Sequence, residues 1–441
     1  MKASEASKKN ANGFLCISVH LLIAAASAGQ VCNETVADGH TENTSGFLNH
    51  NSTDAEIAVG PDHILSCTNS WLRLHNKSGQ PIAGEYVSLA DFPTAQFPFF
   101  VRNNTLTSTT ELIGDPVVLY DYHADRYWIL ADELVVGNLG LPEYSHYQFA
   151  INVSPPSIAG TSDIWMYFDE ATWEYPGTGL FHLAHNQMLF ADAEALYNVA
   201  RWDSFDGTTG GREAETIIHI WDKASLLQGN KPTATRLLLS NEGDDTWGHC
   251  PAIEYSRWDN THPMYLVATK EDPEHTAPPQ YHHQTTIRIG AVYKNTQGQH
   301  VYDWIDLPEG SVDDWFDLPE FHAVQGGTLR TISSRFLHAT YVPDPEGGNT
   351  GRIWCVFHIL PTDGGTPPQP VGDASIRWYE IEANGWPLSG SNPFVVREGQ
   401  LSDPTGEFIY VDPAIAVDSS GNVGLAWTRA GENLNPEFWM G

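Results

Sequence analysis

Gly114 to Trp128 reads GDPVVLYDYHADRYW, and this stretch decides the fold because degraded copies of it return along the chain. Val117 to Tyr120 is a β-branched and aromatic run, Asp121 to Asp125 is rich in turn formers, and Tyr127 to Leu130 resumes the apolar run. That order spells strand, tight turn, strand, with the Asp-Pro pair expected to open the first strand. Asp412 to Trp427, DPAIAVDSSGNVGLAW, repeats the layout nearly position for position. Asp54 to Leu65 (DAEIAVGPDHIL) and Cys250 to Val267 (CPAIEYSRWDNTHPMYLV, with a longer turn) repeat it again, and weaker copies begin at Gly179 and Arg330. The starts lie roughly 60 to 80 residues apart, which is one supersecondary unit used about six times.

Composition agrees with many short strands. The 38 Gly, 28 Pro and 50 aromatic residues, without long amphipathic helical patterns, favour strands joined by turns. Helical turns are expected only at Asp192 to Ala200 or Lys223 to Leu227, and Asp203 to Glu215 reads as a long exposed loop. About four short strands per repeat suit an all-β fold, a β-propeller of about six or seven four-stranded blades, with the first apolar run of each unit nearest the axis. A pair of β-sandwiches is the alternative, but it does not require a recurring Asp-Pro unit. The chain stops a few residues past the last unit's second strand, so a blade completed by the first strands, or a chain truncated at its C-terminus, is expected.

The flanks read differently. Lys8 and Lys9 precede an apolar run from Phe14 to Ala28, and Ala26-Ser27-Ala28 suits cleavage before Gly29, so 1–28 reads as a signal peptide. Residues 29–53 form a polar lead-in expected to be disordered, and 54–441 form the propeller. The expected location is secreted or extracellular, with no membrane span left after cleavage. Asn-x-Ser/Thr acceptors at Asn33, Asn43, Asn51, Asn76, Asn103 and Asn152 mark expected glycosylation sites on surface loops. After loss of Cys16, four cysteines remain, Cys32, Cys67, Cys250 and Cys355, open to three pairings or to buried free thiols.

A net charge of -33 repels phosphate backbones, which excludes nucleic acid as a natural partner. No Gly-x-Ser-x-Gly elbow, phosphate loop or dinucleotide fingerprint occurs. Of a sialidase's turn boxes, only SNEGDDTW at Ser240 to Trp247 comes near, with Glu242 and Asp244 off pattern. Asp115, Asp121, Asp125, Asp412 and Asp418 recur with the repeat, as turn and backbone-capping residues do. Asp115 and Asp412, if both line an axial channel, are candidate calcium ligands, calcium being the one cofactor considered. His282 and His283, and likewise His182 and His185, are spaced for opposite strand faces and cannot share a metal. Aromatic clusters at Trp165 to Tyr167, Trp173 to Tyr175 and Trp315-Phe316 either fill spaces between blades or line a groove for sugars.

Ala58 to Leu65, Gly114 to Trp128, Ala374 to Glu382 and Asp412 to Gly431 resemble a poorly characterised family of secreted, propeller-like exported proteins found mainly in bacteria and shaped like the sialidase superfamily. The resemblance spans most of 54–441 and implies architecture, with no catalytic set to carry over. Family members continue to a segment containing Arg-Trp-Gly-Asp that is absent here, which implies truncation. The reading is a binding or adhesion scaffold at the cell exterior with a carbohydrate or protein ligand. The alternative is an extracellular carbohydrate-active hydrolase or lyase.

Overall fold

A computed structural model describes residues 56–68, 71–88, 110–136, 142–152, 165–171, 181–205, 214–230, 233–240, 246–253, 262–271, 283–308, 310–313, 315–316, 321–324, 327–330, 336–344, 350–363, 370–418 and 421–441. They form a β-propeller built from six successive antiparallel meanders. Blade 1 holds β1 (Glu56–Val59), β2 (His63–Thr68), β3 (Trp71–Asn76) and β4 (Pro81–Ser88). Blade 2 holds β5 (Thr110–Asp121), β6 (Arg126–Val136), β7 (Pro142–Asn152) and β8 (Trp165–Ala171). Blade 3 holds β9 (Phe181–Ala191), β10 (Ala195–Phe205), β11 (Ala214–Asp222) and β12 (Thr235–Ser240), with the helix α1 (Lys223–Leu227) after β11. Blade 4 holds β13 (Thr246–Ile253), β14 (Met264–Glu271), β15 (His283–Lys294) and β16 (His300–Asp306). A linking segment carries β17 (Trp315–Phe316), β18 (Phe321–Val324) and β19 (Gly327–Arg330). Blade 5 holds β20 (His338–Pro343), β21 (Gly351–Pro361), β22 (Ser375–Glu382) and β23 (Phe394–Leu401), and blade 6 holds β24 (Ile409–Val417), β25 (Val423–Gly431) and β26 (Leu434–Met440).

The copies at Asp54, Gly114, Cys250 and Asp412 supply the first two strands of their blades, the weaker copy at Gly179 covers β9 alone, and the one at Arg330 runs from the end of β19 through β20. The first strands β1, β5, β9, β13, β20 and β24 touch in that series. β13 and β20 go further and pair in parallel, Ala252 with Ala339 and Ile253 with Thr340. Parallel first strands meeting along one line are what radial stacking of meanders produces. Alternating side chains fill the spaces between blades. Leu65, Cys67, Leu72 and Leu74 of blade 1 meet Val118, Tyr120 and Ile129 of blade 2. Val117, Trp128, Leu130 and Ile151 meet Leu189, Leu196, Ile217 and Trp221 of blade 3. The largest cluster joins blades 4 and 5 through Tyr265, Ile289, Ile353, Phe357 and Tyr379.

Three expectations need correction. The Asp-Pro pair does not open the first strand; β5 starts at Thr110 and β24 at Ile409, with the pair inside each. There the ladder skips, so that Asp115-Pro116 face Ala131 and Asp412-Pro413 face Trp427, two residues against one. Proline has no N–H to donate to a ladder, and a bulge is the interior position that tolerates it. The same skip recurs without the motif at Asn186-Gln187 in β9 and at Gly248-His249 in β13. Asp412 takes a left-handed φ of 49°, which its short polar side chain accommodates.

Secondly, Asp192 to Ala200 is not helical. Asp192 caps a tight turn and Ala195 begins β10, so of the two candidate helical turns Lys223–Leu227 is the helix, with Asp222 as its N-cap accepting from Ser225 N–H. Thirdly, Asp203 to Glu215 is not loop throughout, since β10 runs on to Phe205 and β11 begins at Ala214. Of the two readings of Trp315 and Phe316, packing between strands holds. Both are 0% exposed, because β17 wedges between β15 and β21 and bonds to each. Cys67, Cys250 and Cys355 are buried free thiols, with the Cys355 thiol pushed well up by burial, whereas Cys32 lies outside the described residues.

Candidate ligand-binding site

In a meander, the turns between first and second strands and between third and fourth strands share one edge. On that edge the recurring aspartates act on their own backbone. Asp121 Oδ1 accepts from the N–H groups of His123 and Ala124, Asp192 Oδ1 from those of Glu194 and Ala195, and Asp418 Oδ1 from that of Asn422. The Asp121 carboxylate also reaches across to blade 3, beside Asp192. Lys223 is buried, and its Nζ donates to Asp121 Oδ2 at 2.8 Å and to the carbonyl of Asp192. Asp121 Oδ2 also accepts from Trp128 Nε1, and Asp192 Oδ2 accepts from the Tyr197 hydroxyl at 2.6 Å. Burial, then the Asp192 charge and hydrogen bond, push the Tyr197 phenol far up, so it stays a neutral donor. The result is a closed clasp between blades 2 and 3, with the lysine and both carboxylates engaged inside the protein.

Blade 1 is tied to blade 2 on the same edge. The Tyr127 hydroxyl donates to the His63 carbonyl at 2.6 Å and accepts from Gly60 N–H, while Tyr122 Oη reaches the Val59 carbonyl. Gly60 is required there, since a Cβ would lie 2.4 Å from the Tyr127 hydroxyl oxygen. Asp125, at φ 55°, accepts from the Tyr120 hydroxyl.

The calcium candidates divide. The Asp115 side chain lies outside the described residues, and Asp412 is buried with its Oδ1 3.7 Å from His358 Nδ1 and its N–H donating to that nitrogen at 3.1 Å. No group of three or more His, Cys, Asp or Glu is placed to hold a metal among the described residues. Of the glycan acceptors, Asn76 lies exposed at the β3–β4 turn, where its Oδ1 accepts from the N–H groups of Ser78 and Gln80. Asn152 departs from the expected surface loop: it is the last residue of β7 and 2% exposed, its carboxamide oxygen accepting from Tyr127 N–H. Asn33, Asn43, Asn51 and Asn103, with 1–28 and 29–53, lie outside the described residues.

The outer rim contrasts with this closed edge. Trp304 of β16 is 51% exposed, and the guanidinium of Arg288 lies 3.8 Å from its ring centre. Arg288 is itself buried and locked by Asp306, Nε to Oδ1 at 2.7 Å and an Nη to Oδ2 at 3.2 Å, with Lys270 Nζ on the same carboxylate at 2.9 Å. Burial alone would raise the Asp306 carboxyl, but the bonds from Arg288 and Lys270 outweigh it and hold the group ionised. Beside this stack, Tyr302 donates to His249 Nε2 or accepts from it at 3.2 Å, His249 being the second residue of the β13 bulge. Gly290 opposite Trp304 makes room, since a Cβ there would meet the Tyr302 ring at 2.7 Å.

No protein-family model and no curated protein matches the chain. Among solved structures, it is similar to Drosophila Plexin A in complex with Semaphorin 1b, at 9% identity and a TM-score of 0.32 over 86% of this chain and 83% of that one. It is also similar to Drosophila Semaphorin 1a, extracellular domains 1-2, at 8% identity and a TM-score of 0.32 over 88% and 85%. Strand order and register carry the fold assignment here.

Arginine and aromatic rings meet again on the next blades. In blade 5, Arg397 lies over Trp354 and pairs with Glu380, which also takes Arg352. In blade 6, Arg429 sits 4.0 Å from the Trp439 ring centre and 4.5 Å from that of Phe408, held by Glu437 at 3.1 Å. Trp439 is 39% exposed. Sequence reasoning singled out neither Trp304 nor Trp439. The signal available was alternation, with Trp304 two positions from Asp306 on one strand face, but exposure depends on what the neighbouring blade covers.

Proposed function

We propose that the chain is an extracellular binding scaffold whose rim engages a carbohydrate or protein ligand. Trp304 carries this reading. A large aromatic ring left half in water, on a support that cannot rotate away, gains apolar burial only when a partner covers it. One ring face is occupied by Arg288, so a sugar face or an apolar side chain stacks on the other, with Lys270 and Asp306 close by to hydrogen-bond it. The N-terminal signal-peptide pattern supports the extracellular placement. No helix among the described residues is long and apolar enough to cross a membrane.

Screening the purified chain against a glycan array and a panel of extracellular proteins tests the proposal. Trp304→Ala is expected to weaken the selected ligand at least about tenfold, equivalent to about 1.4 kcal/mol. A ligand held equally well by parent and variant sinks the assignment to this rim. The hydrolase reading has one observation of its own. Burial first, and the neighbouring Asp313 charge second, raise the Glu398 carboxyl, as a general acid requires. Turnover of a bound glycan that Glu398→Gln abolishes would favour it. Calcium at Asp412 and Asp115 belongs to the same proposal; an unchanged Tm in excess calcium argues against it.

A further inference from the structure

Between blades 2 and 3, away from the Lys223 clasp, two carboxamides sit near His219 in an interface filled mainly by apolar side chains. Gln187 is the second residue of the β9 bulge, and Asn198 lies on β10. In the β9–β10 ladder Leu189 stands opposite Asn198, and the bulge stands opposite Ala200. Gln187 and Asn198 are therefore diagonal neighbours on the sheet face that carries Leu189 and Ala200 toward blade 2, within reach of a long side chain. Gln187 is 5% exposed and Asn198 0%. Both atoms of each carboxamide, Nε2 and Oε1 of Gln187 and Nδ2 and Oδ1 of Asn198, are buried without a hydrogen-bond partner in the protein.

Buried carboxamides are expected to be satisfied, and these have neither a backbone nor a side-chain answer. We propose that Gln187 and Asn198 form an internal water-binding site that bridges β9 and β10 inside the blade 2–3 interface. Each carboxamide offers donors and acceptors together, so the guest must both accept and donate, as water does and a simple ion does not. His219 stands opposite Asn198 in the β10–β11 ladder, and burial, with Arg236 adding to it, depresses its imidazole to about 3. A neutral ring brings no charge that would attract an ion. The equivalent bulge positions answer differently: Pro116 and Pro413 carry no polar side-chain atom, and His249 has the Tyr302 hydroxyl.

A high-resolution crystal structure tests the site directly. The expected result is a water within about 2.7–3.2 Å of an atom of each carboxamide. Carboxamides that are dry, or that turn to bond protein groups, overturn the proposal. A double-mutant cycle reads the same site in solution. Gln187→Met or Asn198→Leu alone strands the water and the remaining carboxamide and is expected to lower Tm by about 2–4 °C. The double variant removes the whole set and is expected to lose less than the two singles summed. Single variants that each raise Tm, with additive effects, also overturn it, since they would show two dry carboxamides relieved independently.

Discussion

The blade 2–3 clasp and the blade 4 rim use the same chemistry for opposite ends. At the clasp, a lysine and two aspartates are buried with their hydrogen bonds closed inside the protein. At the rim, a buried arginine is spent holding an exposed ring. A charge network that satisfies itself offers nothing to a ligand and fixes how two blades meet. One that terminates in an open aromatic face leaves surface for which water is a poor partner. The difference separates a network closed on itself from one that supports an open surface, without reference to residue type.

The largest effect is expected at the clasp. Lys223→Met leaves the buried Asp121 carboxylate without its cation and should cost about 3–5 kcal/mol in denaturant unfolding. Adding Asp121→Asn should recover part of that loss; a Lys223 variant of unchanged stability would dissolve the contrast with the rim. His219 sharpens the picture through pH. Its folded pKa of about 3 lies below the unfolded value of 6.5, so its contribution is full above about pH 6.5 and is lost as the pH falls toward 3. The parent should lose up to about 1.4 kcal/mol per pH unit more than His219→Gln across that window, and parallel pH profiles would contradict it.

Gly290→Ala probes the support of the rim. Its Cβ would collide with the Tyr302 ring, and about 1–3 kcal/mol of stability should go with the displaced ring. The smallest stability effect belongs to Trp304→Ala. Half of that ring is already in water, so the unfolding midpoint should move little while ligand binding falls. A large stability loss with intact binding would make Trp304 a packing residue and erase the distinction.

Much of the architecture was legible in the chain. Alternation and turn chemistry are local, so the strand pairs near 54, 115, 250 and 412 fall where the residues place them, whereas the weaker copies at 179 and 330 each capture only the first strand of their blade. The capping role of Asp121 and Asp418 followed because a carboxylate that recurs with the turn acts on that turn's own N–H groups. Asp192 was missed because DAEALYNVA also fits a helical pattern, and pairing with β9 and β11 overrode it. Exposure was not legible for the aromatics. Trp304 and Trp315 are both tryptophans in short strands, yet one is 51% exposed and the other 0%.

By itself the sequence determined the repeat, the strand-turn-strand unit and the acidity, since each is read directly from the residues of the chain. Only the tertiary structure decided which polar groups close on one another and which stay open. Lys223 meets Asp121, and Arg288 meets Asp306, across separations that no spacing rule encodes, because the docking of strands and blades sets those distances.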